Sequence, residues 1–177
     1  MYEEMIFAGF GGQGVILAGK LMCLAAMREG KKVSHIPSYG PEMRGGTANC
    51  SVVVADSDIA SPVVYKPSIA VVMNGPSLEK FEPRIKPGGL LIYNSSLINK
   101  KPARTDIEVV AVEANKISEA HGSSRSANMA VLGKLLSLRP DLASIDSLIA
   151  AMDDAVSARN KKLNDINVKV VKAGSAA

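Results

Sequence analysis

The chain predicts a single α/β domain of Rossmann-like type, with a mainly parallel sheet flanked by helices and further helices at the carboxyl end. Three observations carry this expectation: short apolar runs alternate with helical spacings along most of the 177 residues, the runs are apolar on both faces, and a glycine-rich turn joins the first strand to the first helix. A hydrophobic content of 47% suits one core, and no internal repeat or low-complexity linker divides it.

Met5-Ile6-Phe7-Ala8 reads as the first strand. Leu17, Leu21, Leu24 and Ala25 then recur at helical spacing over residues 15–27, and Gly30 ends that helix. A second strand follows over 32–36, where Pro37-Ser38-Tyr39-Gly40-Pro41 breaks regular structure and opens a loop that runs to Gly46. Residues 47–55 condense into the β-branched Ser51-Val52-Val53-Val54. Ile69-Ala70-Val71-Val72-Met73 is a strand apolar on both sides, bounded by Pro67 and by Asn74-Gly75-Pro76. A short helix over 77–81 and a turn at Lys86-Pro87-Gly88-Gly89 lead to strands over 90–93 and 108–112. Two helices close the reading, one over 126–138 stopped by Pro140, the other over 144–158 capped by Ser144 with Ile145, Leu148, Ile149, Met152 and Val156 on one side.

Charge is informative in where it sits. Residues 1–158 balance basic against acidic groups, so the formal +4 resides in residues 159–177, where Arg159, Lys161, Lys162, Lys169 and Lys172 face only Asp165. A nucleic-acid surface would spread basic groups over a face and interleave stacking aromatics, whereas this chain has no Trp, three Phe and four Tyr. The basic tail reads instead as a segment that docks on a partner subunit. No apolar run reaches the roughly 18 residues a bilayer span needs, and Met1-Tyr2-Glu3-Glu4 lacks a leader's basic and apolar regions. The expectation is a soluble cytoplasmic protein. Cys23 and Cys50 lie in apolar contexts without paired spacing, which predicts buried thiols and neither a disulfide nor a metal cluster.

Gly9-Phe10-Gly11-Gly12-Gln13-Gly14 matches the pattern G-x-G-x-x-G in its informative context, after a strand and before a helix. Glycine there lets the backbone approach a ligand, and the helix amino terminus offers N–H groups to an anion; a tight turn with no ligand is the alternative. A dinucleotide site would place a carboxylate about twenty residues later to hold the ribose hydroxyls. The second strand ends in His35-Ile36-Pro37-Ser38, with no such group.

The loop Ser38-Tyr39-Gly40-Pro41-Glu42-Met43-Arg44-Gly45-Gly46 gathers hydroxyls, a carboxylate, a guanidinium and glycines between two strands. Leaving the carboxyl end of the second strand, it is expected beside the glycine turn, facing the same crevice. Arg44 can clamp a carboxylate or phosphate and Tyr39 can cover an apolar part of the same ligand; alternatively, Glu42 and Arg44 pair and stiffen the loop. No nucleophile–base pair is evident, since His35 and His121 are the only histidines and Ser38 has no base nearby in sequence.

The glycine turn together with residues 38–50, ending Gly46-Thr47-Ala48-Asn49-Cys50, closely resembles the gamma subunit of 2-oxoacid:ferredoxin oxidoreductases, most of all the 2-oxoglutarate type. The likeness continues through Met73-Asn74-Gly75-Pro76-Ser77-Leu78, Tyr93-Asn94-Ser95-Ser96 and Asn128-Met129-Ala130-Val131-Leu132-Gly133, and departs from the family pattern at residues 164–170. The resemblance implies a subunit of an enzyme that decarboxylates a 2-oxoacid, passes electrons through iron–sulfur clusters to ferredoxin, and yields an acyl-CoA. Thiamine diphosphate, Mg and the clusters then belong to alpha, beta and ferredoxin-like delta partners, because this chain has neither a Gly-Asp-Gly motif nor a cysteine cluster. It also implies a contact with coenzyme A, placed on Gly9, Gly11, Gly12, Gln13 and Gly14 and on Ser38, Tyr39, Glu42, Arg44, Gly45 and Gly46, with no catalytic residue in this chain alone. A free-standing nucleotide-binding module and a noncatalytic scaffold are the other function classes the sequence leaves open.

Overall fold

The computed structural model describes residues 1–40, 46–155 and 161–177, excepting the side chains of 161 and 162. Its strands are β1 (Tyr2–Phe10), β2 (Lys32–Tyr39), β3 (Thr47–Ala55), β4 (Ile69–Val72), β5 (Leu90–Asn94) and β6 (Glu108–Val112). Its helices are α1 (Val15–Arg28), α2 (Gly75–Phe81), α3 (Ala114–Ala120), α4 (Ala127–Leu138), α5 (Ile145–Ala155) and α6 (Lys161–Ala176).

The strands form one sheet in the order β2-β3-β1-β4-β5-β6. β1, β4, β5 and β6 pair in parallel, while β3 runs antiparallel to both β1 and β2, so five strands point one way and β3 alone opposes them. The predicted mostly parallel α/β domain is therefore the observed one. Alternate residues of β1 serve the two faces. Met5 and Phe7 join the larger core with α1, α4, α5 and α6, whereas Ile6 and Ala8 join a smaller core with Leu78 and Phe81 of α2. Burial on both faces is why the strand sequences read as continuous apolar runs.

Three elements differ from the sequence expectation. Strand β2 does not stop before Pro37 but continues to Tyr39, with Pro37 opposite Cys50. β2 is an edge strand, and an edge tolerates the N–H that proline lacks. Residues 161–176 form a helix where no helix was expected, and α3 was likewise not foreseen. Helix α6 lies against α4 so closely that a Cβ on Gly133 would stand 2.9 Å from the Val171 carbonyl carbon, and one on Gly174 would stand 2.7 Å from Ala130 Cα. Val170 and Val171 are fully buried in this contact, while Lys169 and Lys172 point outward. The predicted end of the α5 segment, with Val156, and the basic Arg159 lie outside the described residues. Among the described residues no helix is long and apolar enough to cross a membrane.

Candidate functional site

Between β1 and β4 the chain connections diverge. The α1 crossover leads from β1 toward the β2 edge, and the α2 crossover leads from β4 to β5 on the opposite face of the sheet. Such a switch point opens a crevice at the carboxyl ends of the strands, where open α/β sheets place their ligands. The glycine turn occupies it.

Gly9 closes β1, and Gln13 locks the turn from within. Its Oε1 accepts from the Phe10 N–H at 2.7 Å and from Asn74 Nδ2 at 3.2 Å, while its Nε2 donates to the Met73 carbonyl at 3.2 Å. Gln13 thus fastens the end of β1 to the end of β4, which is a structural use for a side chain expected to face a ligand. Asn74 holds the far side, its Oδ1 capping α2 through the Ser77 N–H at 2.8 Å. Gly12 and Gly14 adopt φ of 101° and 73°, a region costly for any residue with a Cβ. Gly14 is the residue before α1, and among the described residues no side chain caps that helix. The first N–H groups of α1 consequently face the crevice with the positive end of the helix dipole.

The expected neighbour of this turn is in place. Gly11 N–H donates to the Gly46 carbonyl at 2.8 Å, and Gly40 N–H donates to Thr47 O at 2.7 Å, so the ends of the loop after β2 are pinned beside Gly11. The physical route differs from the expected one. β3 returns between β1 and β2 as an antiparallel hairpin arm, with Phe10 opposite Thr47 and Tyr39 opposite Ala48, and thereby carries the loop to the turn. A cleft of about 290 Å³ lies between them, lined by Gly11, Gly12, Val15, Leu17, Tyr39 and Ala48. Tyr39 is 59% exposed at its rim. Ser38 sits on the same strand end, opposite Asn49. Glu42, Arg44 and Gly45 lie outside the described residues.

Asn128 has a role that sequence reasoning did not assign. It is buried in the first turn of α4, and its Nδ2 donates to the Gly14 carbonyl at 3.1 Å, tying α4 to the start of α1. Only its place in the segment Asn128–Gly133, which carries part of the family resemblance, pointed to it; the partner is 114 residues away.

The remaining reactive groups lie away from this cleft's surface. Cys23 on α1 and Cys50 on β3 are buried, which pushes both thiols up to about 12. Two cysteines fall short of the four thiolates that an iron–sulfur cluster takes. His121 ends α3 with its Nδ1 against Ile117 O at 2.9 Å. His35 lies on β2 under Gly19 of α1, and its Nε2 has no hydrogen-bond partner among the described residues. Burial lowers its pKa from the ordinary 6.5, the carbonyl of Ile16 opposes that, and Lys20 adds to the lowering. The unfolded chain therefore takes up this proton first as pH falls, and stability is lost below pH 6.5. Urea midpoints measured from pH 7.5 to 5 should fall in the wild type, and His35→Gln should flatten that slope; parallel slopes would refute the assignment.

Compared with known families, the chain matches pyruvate ferredoxin/flavodoxin oxidoreductase over residues 4–177, and it belongs to that family. The ketoisovalerate oxidoreductase subunit VorA of Methanothermobacter marburgensis is 36% identical over 168 residues, a match that takes in 95% of this chain and 35% of VorA. The 2-oxoglutarate synthase subunit KorC of Methanocaldococcus jannaschii is 34% identical over 167 residues, 93% of this chain and 89% of KorC. The chain thus has about the length of KorC and spans about a third of VorA. Among solved structures, the gamma subunit of a keto/oxoacid ferredoxin oxidoreductase from Geobacter sulfurreducens superposes with a TM-score of 0.81 at 28% identity, covering 99% of both chains. The 2-oxoglutarate:ferredoxin oxidoreductase of Magnetococcus marinus, solved with 2-oxoglutarate, coenzyme A and succinyl-CoA, shares the fold at a TM-score of 0.89 and 22% identity over 30% of its chain.

Proposed function

We propose that this chain is the gamma subunit of a multisubunit 2-oxoacid:ferredoxin oxidoreductase in the cytoplasm, and that its oxoacid is 2-oxoglutarate. The observation that carries the reading is the meeting of two loops at one crevice, Gly11 to Gly46 at 2.8 Å, in a chain that matches the family from residue 4 to residue 177. The choice of 2-oxoglutarate is supported by KorC relatives of matching length, with ketoisovalerate and pyruvate as the competing substrates. Alpha, beta and ferredoxin-like delta partners supply thiamine diphosphate, Mg and iron–sulfur clusters. This chain contributes a contact to coenzyme A, whose phosphates suit the uncapped start of α1 and the guanidinium of Arg44, and whose apolar portion suits the cleft under Tyr39. The outward face of α6, with Lys169 and Lys172, is the proposed docking surface for a partner subunit.

An anaerobic pull-down of the tagged chain from its native cell, followed by viologen reduction with a panel of oxoacids and coenzyme A, tests this. Recovery of thiamine- and cluster-bearing subunits with activity on 2-oxoglutarate is the expected result. Preference for another oxoacid corrects the substrate alone. A lone homo-oligomer without activity would overturn the reading in favour of a free-standing nucleotide-binding module or a scaffold.

A further inference from the structure

The balance of charge over residues 1–158 conceals a local excess. Residues 66–104 carry seven basic side chains against two acidic ones, Glu79 and Glu82, and the compensating acids follow in residues 105–158. The basic segment centres on α2 and the loops that flank it. Helix α2 packs on the smaller core, so this surface lies on the opposite side of the sheet from α4, α5 and α6.

Both acids of the segment are engaged within it. Glu79 pairs with Lys100 at 3.1 Å, and Glu82 is buried, its Oε1 accepting the N–H groups of Ala103 at 2.5 Å and Arg104 at 2.8 Å. Arg104 also donates to the carbonyls of Glu82 and Ile85, which clamps the loop before β6 across the end of α2. Lys80 Nζ and Arg84 Cζ stand 5.2 and 5.5 Å from the centre of the Phe81 ring, and the ring holds both cations at one place. Lys66, Lys80, Arg84 and Lys101 are exposed, and none makes an ion pair among the described residues.

Apolar anchors border these charges. Val64 is buried in the smaller core with Phe81 and Ile85, while its neighbours Val63 and Tyr65 point outward, 44% and 77% exposed. The Lys86 N–H donates to the Pro67 carbonyl at 2.9 Å, which joins this loop to the end of the α2 segment. Six of the nine prolines fall in residues 62–102. Proline fixes its own φ, so a surface framed in this way has little freedom left to lose on binding. Tyrosine and arginine are also the residue types in which protein interfaces concentrate binding energy.

We propose that the α2 face, with Lys66, Lys80, Arg84 and Lys101 beside Val63 and Tyr65, docks a partner protein that presents carboxylates. Charge complementarity selects that partner, because a basic surface set against these cations would be repelled. A nucleic acid fits less well. It calls for aromatics interleaved with the cations, and among the described residues from 56 to 104 Tyr65 is the one exposed aromatic side chain. Since α6 lies on the other side of the sheet, a partner on α2 leaves Lys169 and Lys172 free for another, and the chain can bridge two polypeptides. The inference goes beyond the proposed function and does not rest on it: it requires a partner, not a particular reaction.

Two measurements test it on the complex recovered from the native cell with the tagged chain. In the first, a carbodiimide joins lysine amines to carboxylates at ion-pair distance, and the linked peptides are mapped by mass spectrometry. Links from Lys66, Lys80 or Lys101 to Asp or Glu of a different polypeptide are the expected result, with the Lys100–Glu79 link as internal control. The control link without the others overturns the docking face. So does linkage of these lysines to a second, differently tagged copy of this chain, which would make the face a self-contact. In the second, Lys80→Glu/Arg84→Glu should raise the dissociation constant for the linked polypeptide about tenfold at 0.15 M salt and by less at 0.5 M, because salt screens exposed charges. Tyr65→Ala should raise it about tenfold at both salt concentrations, as loss of an apolar anchor does. Wild-type binding by both variants would refute the proposal, and release of the partner by nuclease would assign the cations to a nucleic acid instead.

Discussion

Gly133→Ala should lower the stability of the chain by about 3 kcal/mol, at the upper end of the usual cost of overpacking. A methyl group at this position would fall inside van der Waals contact of the Val171 carbonyl oxygen, 2.9 Å from its carbon and 3.1 Å from the Ser175 nitrogen. All three are backbone atoms of α6, so no side-chain rotation makes room and the helix itself must move. Its displacement would loosen Val170 and Val171 in the core and the hydrogen bond from Ser126 to Asn167. In a chain of this size such a loss lowers Tm by about 6–12 °C. Gly174→Ala meets Ala130 from the other side and should cost a similar amount, but the double variant should cost less than the sum, because one shift of α6 relieves both. Gly75→Ala is the control. Gly75 has nothing within 4 Å of a built Cβ and opens α2, so alanine there should be neutral or stabilising by about 0.5–1 kcal/mol. Equal urea midpoints for Gly133→Ala and Gly75→Ala would refute the close packing of α4 on α6.

That contact also shows where the sequence stopped being legible. The central strands could be read because burial on both faces leaves only apolar residues, as in Ile69–Val72, whose four residues are all buried. Helix α6 could not, because its inward face sets small and polar groups beside Val170 and Val171. Asn164 and Asn167 are buried, the first bonded to Asp153 at 2.8 Å and the second to Ser126, and Gly174 touches Ala130 where an apolar side chain would be looked for. The segment that departs from the family pattern, residues 164–170, thus supplies Asn164, Asn167 and Val170 to the inner surface of a helix. Cutting the chain after Ala158 would consequently unfold the α4 face before it reported on docking.

The site divided in the same way. The glycine turn announced itself through its pattern and its place between strand and helix. The neighbourhood of the loop after β2 was also foreseeable, yet not its cause, because an antiparallel arm between β1 and β2 is fixed by pairing between distant residues. Gln13 illustrates the limit. Its own turn is local, but its bonds to Met73 and Asn74 span 60 and 61 residues, and only they show the side chain committed to the frame of the crevice.

Gly14→Ala should be the most damaging single substitution for site and fold together. At φ 73° an alanine incurs about 1 kcal/mol of backbone strain, and its Cβ would lie 2.5 Å from Asn128 Nδ2 and 2.9 Å from Asn128 Cγ. Asn128 is buried in the first turn of α4 and cannot swing out, so the clash breaks its bond to the Gly14 carbonyl and strands a buried amide. An unsatisfied buried group adds about 1–3 kcal/mol, for an expected loss of about 3 kcal/mol in all. The start of α1 moves with Gly14, so the assembled enzyme should also show a raised KM for coenzyme A. The double variant Gly14→Ala/Asn128→Ala separates the two causes. Truncating Asn128 removes both the obstructing amide and its bond, so in that background the glycine substitution should cost only the backbone strain, a coupling of about 1–2 kcal/mol between the positions. Additive costs in a denaturation cycle would show that Asn128 does not hold the turn, and that the junction of α1 with α4 is supported by the core alone.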